Sequence, residues 1–341
     1  MGWIHLRKLF FKEIGVDMGS AYTRIGTKER GIVLCEPTVV AVQLESGRPA
    51  AIGREALELI RYAPEQYKSV YPVKNGLITD CSLVSQMTKG FLRKAFAGKG
   101  GLMHSMAGTF SVPCELSDQD YAAWEYCATM SGIRKVRFVE EPLAAALSEG
   151  WDVYRPYGRM AVSLGAGDIR AAVMTFSGIA ACGRREAGGA YLDGLIAKYI
   201  SDTYGLQVSS LTAERIKLAL GAQGCGEAEM HILGKPQEQN GAREVLLHPA
   251  EMAGVLQMMY EEILAVILQL FSEISPELLS DIAQEGILLY GGNALLYGLQ
   301  AYLQEKTELP VRIAENPLQA VAKGACIAGY CDTHPLQSWM A

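Results

Sequence analysis

Ile14-Gly15-Val16-Asp17-Met18-Gly19-Ser20-Ala21 is an alternating, β-branched run that ends in a turn of small residues. It reads as a strand over Glu13–Met18, a turn at Gly19-Ser20-Ala21 and a second strand at Tyr22–Lys28. Arg30-Gly31 turns the chain again into a strand at Ile32–Gln43. The order restarts much later. Met160–Leu164 reads as a strand, Gly165-Ala166-Gly167 as a turn, Asp168–Phe176 as a strand, Ser177-Gly178 as a turn and Ile179–Arg184 as a strand. Val16-Asp17-Met18-Gly19 thus matches Val162-Ser163-Leu164-Gly165 in residue type and in place. Two unrelated meanders could coincide in this way. The repeated order of elements favours duplication of one αβ unit, and with it an α/β fold of two lobes facing a cleft.

The stretches between fit that plan. Helices are expected at Arg54–Arg61, Ser82–Phe96, Tyr121–Ser131, Leu192–Tyr204, Thr212–Leu220, Ala253–Ile274 and Ala294–Lys306. Ser117 and Asp120 suit the start of the third, and Pro142 opens a short helix at Leu143–Glu149. Strands are expected at Thr109–Pro113, Val136–Val139 and Gly286–Tyr290, and the polar, glycine-rich stretch Gly221–Arg243 as the tip of a subdomain. With 341 residues, half of them apolar and a fifth charged, the chain is of ordinary globular make-up. A net charge of −6 argues against a large nucleic-acid surface, so no nucleic-acid partner is expected. The eight cysteines show no C-x-x-C or zinc-ligand spacing, which fits free thiols in a reducing cytoplasm. No apolar run reaches the roughly 20 residues of a membrane span.

A tight turn of small residues points successive backbone N–H groups into one concavity, where phosphate oxygens bind. Gly19, Ser20 and Ala21 form one such turn, and Gly165, Ala166 and Gly167 a second. Asp17 before the first could hold magnesium, which usually takes one or two carboxylates and several waters; taken without its context it reads more readily as capping the turn. Gly291-Gly292, with Asn293 after it, offers a third close approach at a helix start. Glu214 and Lys217 share a helix face, and could bracket a ribose or adenine or simply pair with each other. Other templates fail. There is no Walker-type phosphate loop, since Gly98-Lys99 is followed by Gly100, and Arg170 stands where a dinucleotide fingerprint needs its third glycine. No nucleophile elbow, H-E-x-x-H motif or histidine triad occurs.

In this order the pieces resemble the MreB-like bacterial actins of the actin/Hsp70/sugar-kinase superfamily, from about Ile14 to Gly329. Ile14–Ala21 is similar to that family's first phosphate motif. Gly31–Val40 and Pro72–Asp80 are similar to the segments after it, and Val139-Glu140-Glu141-Pro142-Leu143-Ala144-Ala145-Ala146 to its connecting helix. Thr212–Lys217 is similar to its nucleoside-contacting helix, Gly286–Gly298 to its adenosine motif, and Val321–Gly324 closes the series. The resemblance implies an actin-like ATPase fold, with two duplicated ribonuclease H-like lobes, each bearing a smaller inserted subdomain, and a nucleotide cleft between them. Lobe I would span 13–155 with its subdomain near 41–68, and lobe II 156–325 with its subdomain near 186–245. Residues 326–341 would return to lobe I. ATP and Mg2+ are the implied ligands, with Asp17 toward the metal.

In that family the glutamate before the proline helps orient the attacking water, which makes Glu141 the matching residue. The second phosphate turn departs from the family pattern D-I-G-G-G-T-T-E. Ser163 replaces the metal-holding aspartate. Asp168 replaces the water-positioning threonine and becomes the second candidate at the reaction centre. The family's G-G-D is Gly188-Gly189-Ala190. A carboxylate at 168 would repel a γ-phosphate unless magnesium or Arg170 compensates it, so hydrolysis is expected to be slow or lost.

Residues 1–12 form a separate amphipathic segment. Trp3, Ile4, Leu6, Phe10 and Phe11 share a broad helical face, with His5, Lys8 and Lys12 on the other. The segment could lie in a membrane interface or pack on the first strand. Together with the resemblance, this leads to an expected membrane-associated filament protein of the cell-shape machinery. Its partners would be further copies of itself, the inner membrane face and membrane proteins of cell-wall elongation, and its location cytoplasmic and peripheral. A non-hydrolysing actin-like scaffold and a small-molecule kinase of the same superfamily are the alternatives.

Overall fold

Pattern and turn chemistry place the strands first. The computed structural model describes residues 12–97, 106–176, 178–223, 229–237 and 241–330. Three strands run as an antiparallel meander, β1 (Lys12–Met18), β2 (Tyr22–Thr27) and β3 (Gly31–Pro37). The chain then makes a small sheet from β4 (Val40–Gln43), β5 (Pro49–Ile52) and β6 (Tyr67–Val70), with helix α1 (Arg54–Tyr62) inserted before β6. The short hairpin β7 (Val73–Lys74) and β8 (Leu77–Ile78) leads into α2 (Cys81–Ala95), which Asp80 caps by accepting from the Leu83 N–H. Strand β9 (Met106–Val112), helix α3 (Asp118–Met130), strand β10 (Lys135–Glu140) and helix α4 (Glu141–Ser148) complete the first half. Ser117 and Asp120 form a reciprocal capping box at the start of α3.

The second half repeats the plan. Its meander is β11 (Arg159–Leu164), β12 (Ile169–Thr175) and β13 (Gly178–Arg185). Helix α5 (Gly189–Tyr204), strand β14 (Leu206–Gln207), helix α6 (Ser210–Gln223), and the hairpin β15 (Met230–Pro236) and β16 (Arg243–Leu247) follow. Helix α7 (Ala253–Glu273), helix α8 (Pro276–Glu285), strand β17 (Ile287–Tyr290), helix α9 (Leu299–Thr307), strand β18 (Val311–Ile313) and helix α10 (Ala320–Tyr330) end the described chain.

The two large sheets have equivalent strand orders, β10-β9-β1-β2-β3 and β13-β12-β11-β17-β18 read from opposite edges. In each, a three-stranded meander is extended by two parallel strands laid against its first member. A helix follows the last strand of each, α4 after β10 and α10 after β18. Topology therefore carries the duplication through the whole unit, beyond the glycine turns.

The chain forms two compact units. Among the described residues, one takes in those up to Arg155, Phe176, Gly178 and 319–330; the other takes in those within 156–175 and 179–318. Helix α10 packs on β1 and α4 within the first unit. Ile14, Val16, Ile25, Phe91, Phe110 and Trp124 centre the first core; Val162, Ile169, Ile196, Ile263 and Leu289 centre the second.

Three local differences from the sequence expectations have physical causes. The stretch Ile32–Gln43 is two strands in two sheets: the ladder of β3 on β2 ends with the Thr38 N–H on Ala21 O at 2.9 Å, and from Val39, whose O accepts the Gly53 N–H, the chain pairs with β5 and β6 instead. Ala294–Lys306 is a 3-10 turn at Gly292–Leu295 followed by α9, since Gly298 at φ 78° breaks the helical path. Helix α7, with the 3-10 turn before it, is long and apolar enough to cross a bilayer by length and composition. Its Leu256, Met259, Ile263, Ile267 and Leu270 are buried in the second core, as in a core helix.

Candidate functional site

The first turn is held open by its own backbone. Ile14, Val16 and Met18 point into the core, which leaves Asp17 on the other face of β1. The Gly19 N–H donates to Tyr22 O at 3.0 Å, Ala21 O accepts from Thr38, and Ser20 Oγ accepts the Asn75 N–H at 2.8 Å. Among the described residues, the N–H groups of Ser20 and Ala21 have no acceptor. Asp17 lies behind them, its Oδ2 3.7 Å from Arg24 Nη1 and its Oδ1 3.3 Å from the Ser111 hydroxyl. Burial raises its pKa, and Arg24 and Ser111 offset this only in part. An incompletely compensated buried carboxylate beside open amides fits a divalent cation carried in with phosphate.

In the second turn the carbonyls are all engaged. Gly165 O accepts from the Gly189 N–H at 2.9 Å and from Asn293 Nδ2 at 3.0 Å. Ala166 O accepts from Ala190 and Gly167 O from Gly188. The first amides of α5 are thereby used on the turn itself rather than left for an anion. The N–H groups of Ala166 and Gly167 have no acceptor among the described residues and form the open side. Residue 188 has to be glycine, because a Cβ there would lie 2.5 Å from the Gly167 carbonyl carbon.

Asp168 is no isolated carboxylate. Its Oδ2 is 2.7 Å from Arg170 Nη2 and 2.8 Å from Arg184 Nε. Arg184 was not anticipated, because it comes from the next strand. The repulsion expected of a bare carboxylate is cancelled by two guanidiniums, and Asp168 is tied down as their counter-ion. No carboxylate stands at position 163, where Ser163 is buried opposite Arg170. The first turn thus has a carboxylate that fits magnesium, and the second has none left over. Among the described residues, no group of three His, Cys, Asp or Glu could cage a metal.

The residues expected around the nucleoside converge on the start of α5. Lys217 does not pair with Glu214. Its Nζ reaches across to Asp193, 2.9 Å from Oδ1, and donates to Gly189 O at 3.2 Å. Asp193, which carries no motif of its own in the sequence, has its pKa raised first by burial, with Glu214 adding repulsion and Lys217 opposing both. Gly291, at φ 92°, brings the chain against Leu164, and Gly292 opens the 3-10 turn that places buried Asn293 on Gly165. Glu141 begins α4, before Pro142. Its neighbour Glu140 is the N-cap, and burial raises its carboxyl pKa. Trp3, Ile4, Leu6, Phe10 and Phe11 lie outside the described residues.

A family model described as MreB/Mbl protein matches residues 11–332. The cell shape-determining protein MreB of Escherichia coli (strain K12) is 32% identical over 324 residues, covering 93% of each chain. The cell shape-determining protein Mbl of Bacillus subtilis (strain 168) is 32% identical over 318 residues, 93% of this chain and 95% of the relative. Among solved structures, MreB5 of Spiroplasma citri bound to AMPPNP superposes with a TM-score of 0.85 at 24% identity, covering 93% of this chain and 95% of its own. The MamK double helical filament matches with a TM-score of 0.76 at 18% identity, covering 93% and 98%. These likenesses establish the actin-like fold.

Proposed function

The chain belongs to the MreB/Mbl family, and from that premise we propose that it binds ATP and polymerises into filaments at the inner membrane face, where they organise cell-wall synthesis and so help to set cell shape. The observation that carries the nucleotide reading is the pair of glycine turns. Each presents two backbone N–H groups without an acceptor among the described residues, while its carbonyls or flanking groups are locked in place. MreB5 of Spiroplasma citri, similar in fold, has been solved with AMPPNP and with ADP. The MamK filament supports self-association as the mode of action. Membrane attachment rests on the apolar face of residues 1–12, and the cell-wall partners rest on the family resemblance.

In this reading the Ser20, Ala21, Ala166 and Gly167 amides hold phosphate oxygens. Lys217, fixed by Asp193, and Asn293 border the nucleoside. Bound magnesium would neutralise phosphate charge, with Asp17 toward it directly or through water. Glu141 would orient the attacking water.

The second turn favours a variation on this theme, a filament that switches by nucleotide binding with slow or absent hydrolysis. Ser163 offers a neutral hydroxyl, and the Asp168 carboxylate is occupied by two arginines. A phosphate-release assay on the polymerised protein is expected to show no turnover above background. Steady turnover that Glu141→Ala abolishes would establish an active ATPase and overturn that variation.

A further inference from the structure

We propose that Arg184, fixed by Asp168 at the rim of the second glycine turn, is a nucleotide-binding residue that recognises the terminal phosphate of a nucleoside triphosphate. The inference rests on the nucleotide-binding reading above and assigns a new residue to it.

Strand alternation sets the direction of Arg184. Its neighbour Arg185 pairs with Glu262 on α7, the helix that covers the core face of the sheet. Arg184 therefore leaves β13 on the opposite face, where Arg170 of β12 also meets Asp168. Asp168 follows Gly167 directly, so a guanidinium hydrogen-bonded to its carboxylate stands at the end of the turn.

The hydrogen-bond inventory of Arg184 leaves it able to bind. A guanidinium carries five N–H donors in one plane. Nε donates to Asp168 at 2.8 Å and Nη2 to the exposed Glu186 at 2.9 Å, whereas Nη1 has no acceptor among the described residues. The side chain is 34% exposed, so its charge is accessible while its orientation is fixed from one edge. A phosphate that accepts from the Gly167 amide and from such a guanidinium would gain charge-assisted bonds in a pre-set geometry.

The polarity of the turn identifies which phosphate this is. Asn293 and Gly189 both bond to Gly165 O, and Lys217 bonds to Gly189 O, so the nucleoside-side residues gather at the Gly165 end. Arg184 is at the Asp168 end. A polyphosphate running away from the nucleoside along the turn reaches Arg184 last. The arginine also supplies positive charge where the turn has no carboxylate left for a metal. Preference for the triphosphate should therefore persist without divalent cations.

The test is calorimetric titration of the purified full chain with ATP and with ADP, each in magnesium and in EDTA. Arg184→Gln is expected to weaken ATP about ten- to a hundred-fold, the worth of one hydrogen bond to a charged group, with ADP changed less than about two-fold. Arg184→Lys should recover part of the difference. In the wild type the ATP preference should survive EDTA. Equal weakening of both nucleotides by Arg184→Gln, an unchanged ATP-to-ADP ratio, or a wild-type preference abolished by EDTA would overturn the assignment. If Arg184→Gln does not fold, Asp168→Asn, which loosens Arg184 and keeps its charge, must still lower the ratio; an unchanged ratio there overturns it equally. Failure of the folded wild type to bind either nucleotide would instead defeat the nucleotide-binding reading itself.

Discussion

Burial raises the pKa of Asp17 because Arg24 and Ser111 compensate its charge only in part. A carboxyl that binds its proton more tightly in the folded chain lowers stability as pH rises from the ordinary value of 3.8 through the raised value, and the loss persists at neutral pH. Asp17→Asn should therefore raise the melting temperature of the nucleotide-free protein, by about 2–4 °C for ~1 kcal/mol in a unit of this size. The same substitution should remove most of the further rise that ATP and magnesium cause. Thermal melts at pH 7, with and without ligand, check both, and a lower nucleotide-free melting temperature contradicts the account. Asp17, Gly19 and Gly165 were legible in the sequence because glycine turns after alternating strands have local signatures. Arg184 and Asp193 were not. Their partners, Asp168 and Lys217, lie 16 and 24 positions away, and only the packing of strand on strand or helix on helix joins them.

Among the elements, the contact between α4 and α10 is the tightest constraint. Each helix follows the last strand of its repeat, and the two cross backbone against backbone. A Cβ at residue 324 would stand 1.7 Å from Ala144 O, closer than any rotamer change can relieve. Gly324→Ala should destabilise the first unit by about 1–3 kcal/mol or more, the usual cost of overpacking, seen as a lower denaturation midpoint in urea. An unchanged midpoint would show that the helices can separate at little cost. The small residues of Ala144-Ala145-Ala146 gave this crossing no visible periodicity in the sequence, and α10 was not anticipated as an element. Helix α8 was also missed, although Ser275 caps it and Pro276 opens it. The break between β3 and β4 has no signal in the sequence, because Thr38 and Val39, where the chain passes from one sheet to the next, are both β-branched and read as strand.

For the molecule as a whole, the repeated strand–turn–strand order was enough to anticipate two duplicated αβ units, since period-two alternation and turn residues are local properties that survive in a single sequence. The proposed assembly into filaments on a membrane would be a collective property. A short amphipathic segment binds a bilayer weakly alone, and a filament multiplies it along its length. Deleting residues 2–12 should therefore abolish co-sedimentation with anionic liposomes while polymerisation in solution persists; undiminished co-sedimentation would place membrane contact elsewhere.

Electron microscopy of the purified full-length protein on an anionic lipid monolayer, with and without ATP and magnesium, tests the central claim most directly. The account predicts ordered filaments lying on the lipid in the presence of nucleotide. Protein that binds ATP in solution yet forms no filaments on the monolayer would contradict it.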